Sequence, residues 1–203
     1  MEGDDWFMAE AMKCGEQAFE VHLPPELIAA ELEPNRVELP QRTPAEHIRW
    51  ALDHPIDSAP LKELVKAGNK VCLVISDVTR RWQSPETYIP LLVEELESAG
   101  VRDEDILIIS ATGTHRRQTP EEHAGLVTQA VYDRITLVDH VCTDEENLTY
   151  VGTTTRGTPV WLDKRALECD KIILTGGVVY HFMAGFGGGR KSILPGIAGR
   201  ETI

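Results

Sequence analysis

The sequence predicts an α/β fold: a mostly parallel, Rossmann-like sheet with helices on both faces, preceded by an N-terminal β-hairpin. Three observations lead there. Four short runs, 71–75, 106–109, 135–138 and 171–175, are largely apolar with no polar alternation, as strands covered on both faces require. Helix-start chemistry stands between them, at Ser84-Pro85, Thr119-Pro120 and Asp163. The connections are short, and strand, loop and helix repeated in that way imply parallel strands joined by right-handed crossovers.

The elements follow in order. Residues 6–12 and 18–23 flank a turn-like 14–17 and read as a hairpin, from Trp6 to a stop at Pro24-Pro25. Residues 33–44 carry three prolines and read as a linker. Thr43 caps a helix that has Pro44 first and runs to about His54, with Ile48, Trp50, Ala51 and Leu52 on its apolar side. Pro60 opens a second helix, 61–67, closed by Gly68. Strand 71–75 leads to loop 76–83. Ser84 then caps a helix running through Leu91, Leu92 and Leu96 to Gly100. Strand 106–109 leads to loop 110–117, and Thr119 caps a helix from Pro120 to about Tyr132. Strand 135–138 is followed by a polar stretch with a turn at Arg156-Gly157. Asp163 caps a short helix ending near Cys169, and 171–175 is the fourth strand. The whole reads as one α/β domain over 1–203, with 1–40 leading into it.

Composition narrows the partners. The 33 acidic side chains outnumber the 20 basic ones, for a net charge of −13. That argues against nucleic acid or an anionic membrane surface. No apolar run approaches the ~20 residues of a membrane span, and the start Met-Glu-Gly-Asp-Asp is unlike a signal peptide. The four cysteines are scattered without a Cys-x-x-Cys pair, as in a cytoplasmic protein with reduced thiols.

In open α/β sheets the ligand sits outside the carboxyl ends of the strands. Loops 76–83, 110–117 and 176–192 leave those ends, so the topology gathers Asp77, Arg80, His115, His181 and Lys191. The third loop is rich in glycine, with seven between Gly176 and Gly196. Backbone of that kind passes close to a bound group with N–H donors toward it. The basic pairs Arg80-Arg81, Arg116-Arg117 and Arg190-Lys191 follow three strands, and read as a basic pocket for a phosphate or carboxylate in an acidic body.

Two histidines at strand ends can act as general acid and general base, or simply bond to backbone as polar loop residues. Without a placed carboxylate or thiolate they fill no metal site. His22, His47, His54, His123 and His140 read as structural. Residues 185–192 run Gly-Phe-Gly-Gly-Gly-Arg-Lys-Ser. A P-loop needs glycine where Arg190 stands, which argues against a nucleoside triphosphatase. Anion binding by the loop N–H groups survives, as does covalent attachment of a cofactor to Lys191. Asp77 can hold a hydroxyl or orient a histidine, and Arg80 can fork onto a carboxylate or phosphate.

Taken together, Ser76-Asp-x-Thr-Arg80, Gly113-Thr-His-Arg116 and His181-Phe-x-Ala-Gly-Phe-x-Gly-Gly-Arg-Lys-Ser-Ile-Leu-Pro-Gly196 resemble the nickel-dependent lactate racemase family, over roughly residues 15–203. The resemblance implies a nickel pincer nucleotide, a pyridinium bisthiocarboxylate mononucleotide gripping nickel, bound to Lys191 through a thioamide. It implies that His115 and His181 are the acid–base pair, and that Asp77, Val78, Thr79 and Arg80 lie against the cofactor. One histidine then takes the hydroxyl proton of a 2-hydroxy acid while the α-hydrogen leaves as hydride to the cofactor. The resulting keto acid takes the hydride back on either face. Enzymes that make the cofactor are implied partners.

Two departures stand out. Arg81-Trp82 replaces a smaller, proline-containing continuation, which alters the pocket. The family's histidine nickel ligand and second domain are expected beyond Ile203. The chain is therefore expected to be an N-terminal portion without racemase activity of its own, which measurable turnover would refute. The alternatives are a non-enzymatic nucleotide- or anion-binding domain and a metal-independent enzyme using the two histidines alone.

Overall fold

The N-terminal hairpin pairs β1 (Phe7–Cys14) with β2 (Gln17–Leu23), antiparallel, closing at Cys14 opposite Gln17. Gly15 takes a left-handed φ of 66° in its two-residue turn, a conformation open to glycine without strain. The computed structural model describes residues 7–203 apart from 31, 34 and 36. Trp6, expected to begin the hairpin, lies outside the described residues, as does part of the expected linker. Residues 1–41 and 42–203 form separate compact units.

The second unit begins with α1 (Pro44–Asp53), whose Thr43 and Glu46 make the reciprocal hydrogen bonds of a capping box. α2 (Leu61–Leu64) is a single turn rather than the expected 61–67, because Val65 swings to extended backbone and is buried in the core. β3 (Val71–Ser76) follows, then a 3-10 run over Val78–Gln83 and α3 (Pro85–Ser98). Ser84 occupies the cap position of α3, but its φ of 51° is left-handed and its hydroxyl caps nothing. Its N–H donates to the Arg81 carbonyl at 2.9 Å instead. β4 (Ile106–Ala111) comes next. The expected helix 120–132 breaks at Thr128, whose φ is 76°, into α4 (Pro120–Val127) and α5 (Gln129–Tyr132).

β5 (Thr136–Asp139) precedes a hairpin hidden in the polar stretch, β6 (Leu148–Thr153) with β7 (Pro159–Asp163). A register shift between Tyr150 and Gly152 disturbs its alternation, which masks the strand signal. α6 (Lys164–Leu167) starts at Asp163, whose carboxylate accepts the Arg165 N–H at 3.1 Å. β8 (Lys171–Leu174) leads into a two-residue ribbon, β9 (Tyr180–His181) and β10 (Gly185–Phe186), and a 3-10 run over Gly189–Ser192.

The main sheet has the order β5-β4-β3-β8, parallel throughout. Its central strand β3 is fully buried from Val71 to Ile75. Alternation divides those residues between two cores. Val71, Leu73 and Ile75 join Ile89, Val93 and Leu96 of α3, Leu126 and Val127 of α4 and Val131 of α5. Cys72 and Val74 join Ala166 of α6 and Ile197. Helices thus cover both faces. The chain steps outward from β3 to β4 and β5, then returns across β3 to β8. That reversal opens a crevice at the carboxyl ends beside β3.

Candidate active site

Asp77 follows β3 and is almost fully buried. Its Oδ1 accepts the Thr79 N–H at 3.1 Å and the Thr79 hydroxyl, which starts the 3-10 run. Its Oδ2 hydrogen-bonds to His115 Nδ1. A carboxylate only accepts, so Nδ1 carries the proton and Nε2 is left with its lone pair. His115 is held from behind β4 by its own N–H, which donates to the Thr112 carbonyl at 2.9 Å.

The glycine-rich loop is tied to the same strand ends. The Ser192 hydroxyl donates to the Thr175 carbonyl after β8 at 3.0 Å, and the Gly113 N–H donates to the Gly196 carbonyl at 3.0 Å. A Cβ on Gly196 would lie 2.2 Å from the Ser192 carbonyl oxygen, so only glycine fits. At the neck of the β9–β10 ribbon Gly188 has a φ of 64°, and a Cβ there would meet the Gly176 and Gly177 carbonyls at 3.2 Å. Close backbone approach accounts for these glycines.

His181 sits at the ribbon tip. Its Nδ1 accepts the N–H groups of Met183 at 3.2 Å and Ala184 at 3.1 Å. The proton of the neutral ring therefore sits on Nε2. The two histidines hold opposite tautomers: His115 offers an acceptor at Nε2, His181 a donor.

Lys191 lies in the last 3-10 run and is half-buried. Burial pushes its amine below the usual lysine range, the Arg80 guanidinium pushes the same way, and Asp77 opposes both. A lysine so placed has more of the nucleophilic free amine.

Asp77, Arg80, His115, His181 and Lys191 all line one cleft of about 580 Å³. Val78 and Thr79 are not among the residues lining it: the Val78 N–H donates to Gln118, and the exposed Thr79 accepts Arg80 Nη1 at 3.0 Å through its hydroxyl. The basic pairs do not all converge as expected. Arg80 and Lys191 line the cleft. The Arg81 guanidinium packs over Gly125 of α4, and Arg116 forks onto Glu122 at 2.7 and 2.8 Å. Arg117 lines a separate polar cleft with Arg165. Contacts with α4 hold Arg81 and Arg116, and single-sequence spacing carries no trace of them.

Of the other histidines, His140 is buried between Asp163 and the Ala198 carbonyl, and His123 bonds Asp139 at 2.8 Å. His54 stacks on Trp50, and His47 lies in α1. The His22 side chain lies outside the described residues. The sequence reading set Trp82 at the pocket but missed the apolar wall that it forms with Phe182, Met183 and Leu194, all lining the cleft while largely exposed. Their lack of periodicity gave no signal. Among the described residues no group of three or more His, Cys, Asp or Glu side chains could hold a metal ion. Among them, too, no helix is long and apolar enough to cross a membrane.

Known proteins share this arrangement of chain. The family model of the lactate racemase N-terminal domain matches residues 14–203. The lactate racemase of Lactiplantibacillus plantarum is 37% identical over 158 residues, covering 78% of this chain and 37% of the relative. The lactate racemase of Thermoanaerobacterium thermosaccharolyticum is 34% identical over 156 residues, covering 77% of this chain and 36% of the relative. This chain thus spans little more than a third of the length of either. Among solved structures, the lactate racemase apoprotein from Thermoanaerobacterium thermosaccharolyticum superposes with a TM-score of 0.75 at 33% identity, covering 91% of this chain and 42% of that one. A Thermotoga maritima protein superposes with a TM-score of 0.62 at 27% identity, covering 77% and 39%. The chain belongs to the lactate racemase N-terminal domain family.

Proposed function

We propose that this chain is the cofactor-binding part of a lactate racemase-like isomerase acting on a 2-hydroxy acid, with a nickel pincer nucleotide attached to Lys191. The observation that carries the reading is the meeting of His115, His181 and Lys191 on one cleft, the two imidazoles with their hydrogen-bonding roles already set. The organic part of such a cofactor fits these residues. Lys191 offers a partly desolvated amine for acylation and Arg80 a cation for a phosphate. The described residues do not complete a metal's ligand set. When bound, the cofactor supplies the hydride acceptor.

The protein's own part concerns oxygen and its proton. Asp77 fixes the His115 tautomer so that Nε2 can take the hydroxyl proton of the substrate and later return it. His181 offers Nε2–H to a substrate oxygen. To take a proton there itself, it has to release the two N–H groups of the 183–184 turn. Arg80 gives an anionic substrate a positive charge on the cleft within an acidic protein, since Lys191 is neutral once acylated. Trp82, Phe182, Met183 and Leu194 give the cleft an apolar wall beside these polar groups.

Intact and peptide mass spectrometry of the chain co-expressed with cofactor-making enzymes tests the reading. It expects a covalent addition on the Lys191 peptide, absent in Lys191→Arg. Unmodified Lys191 after that co-expression would overturn it. Reversible mononucleotide binding with no adduct would favour a non-enzymatic nucleotide-binding domain instead.

A further inference from the structure

Gln118 has no place in the roles above, yet its side chain joins three strand ends. Its Oε1 accepts the Val78 N–H at 2.6 Å, in the loop after β3. Its Nε2 donates to the Ser110 hydroxyl of β4 at 2.7 Å and to Asp139 Oδ1 at the end of β5 at 2.8 Å. Its own backbone N–H donates to Asp139 Oδ2 at 2.8 Å. Asp139 is nearly buried and also bonds His123 Nε2 at 2.8 Å. These partners force the amide orientation. Reversed, the NH2 group would face an N–H and the carbonyl would face a carboxylate.

Val78 is the neighbour of Asp77, and Gln118 stands three residues after His115. The loop after β4 therefore grips the loop after β3 twice, through His115 on Asp77 and through Gln118 on Val78. The Thr79 N–H and hydroxyl hold Asp77 Oδ1 only from within its own loop, and the Gln118 grip ties that loop to the neighbouring strand ends. Both grips together fix the peptide on which the carboxylate is mounted, and Asp139 anchors the second grip to the sheet. We propose that Gln118 is a positioning residue for the reaction: through Val78 and Asp77 it holds His115 in the tautomer that leaves Nε2 as the proton acceptor. The inference rests on the proposed role of His115 as base, and it can be tested without cofactor or turnover.

The experiment is long-range 1H–15N NMR of the full chain labelled in histidine nitrogen, with the imidazoles neutral. His115 shares its cleft with Asp77, Arg80 and Lys191, so those residues stay unchanged except in the control. Wild type is expected to show His115 as the Nδ1–H form. Asp77→Asn is the control and should abolish that preference. Gln118→Leu should also abolish it, while the signals of His140, which is buried elsewhere, stay in place. Gln118→Glu sets a carboxylate against Asp139 and should do the same. Adding Asp139→Asn to Gln118→Glu restores a donor facing an acceptor and should restore the Nδ1–H form. If Gln118→Leu does not fold, the Glu and Asn pair decides. Retention of the His115 tautomer in the Gln118 variants, with only the melting temperature lowered, would make Gln118 merely structural and overturn the inference. Loss of preference in Gln118→Glu without rescue by Asp139→Asn would overturn it too. If Asp77→Asn leaves the tautomer unchanged, the reading of His115 as an Asp77-set base falls, and the role of Gln118 falls with it.

Discussion

Lys191 owes its chemistry to burial and to a neighbouring charge that sequence distance hides. Burial depresses its pKa first and the Arg80 charge second, while Asp77 pulls the other way. Below its pKa an amine is protonated and unreactive, so a depressed value leaves more free amine at a given pH. Lys191 should therefore react faster with a small acylating reagent at mildly alkaline pH than the exposed Lys62. Arg80→Gln removes a repelling charge, raises the Lys191 pKa and should slow its labelling a few-fold. Quantitative mass spectrometry of the labelled peptides measures this. Unchanged or faster labelling in Arg80→Gln would show that Arg80 does not act on the amine.

At the scale of one element, α4 shows how a helix start couples to the active-site loop. Thr119 and Glu122 form a capping box, and Glu122 also takes the fork of Arg116, the residue after His115. Arg116 first, then the Thr119 N–H, holds the Glu122 carboxyl at about 2, below its ordinary 4.5. A depressed carboxylate stabilises the fold above its ordinary pKa, and that contribution is lost as pH falls through the folded value. Stability should thus drop between pH 4.5 and about 2 in part through Glu122, and Glu122→Gln should flatten the fall within that window. Urea midpoints measured across it report the difference. Thr119→Ala removes the other half of the box and should cost about 1 kcal/mol, with an unchanged urea slope.

For the whole molecule, every buried hydrophobic among the described residues falls between Val65 and Ala198. Both cores are built on the same sheet, and they hold residues from 65 to 197. A chain of residues 42–203 therefore contains a complete core and should unfold cooperatively in urea, with circular dichroism and tryptophan fluorescence coinciding. Non-coincident or sloping transitions would mean that residues 1–41 are needed to complete the fold.

The sequence by itself determined the parallel sheet, because 71–75 and 106–109 are too apolar to lie anywhere but between covered faces. It also determined the loops that bear the reactive residues, since Asp77, His115 and the glycine motif each follow a strand. Local chemistry sufficed for the Thr43, Thr119 and Asp163 caps, where each hydroxyl or carboxylate meets an N–H two or three residues on. It did not suffice at Ser84, where a left-handed backbone turns the hydroxyl from its cap, or at Thr128, where the backbone splits a helix. Only the tertiary structure decided which cations face the cleft, which nitrogen of each histidine carries the proton, and that Gln118 bridges three strand ends. For His115 and Gln118 the partners come from 21 to 40 residues away, Asp77 for the one and Asp139 and Val78 for the other, whereas His181 takes its tautomer from N–H groups two and three residues on. A propensity or a spacing cannot encode a hydrogen bond whose other half arrives only when the sheet has assembled.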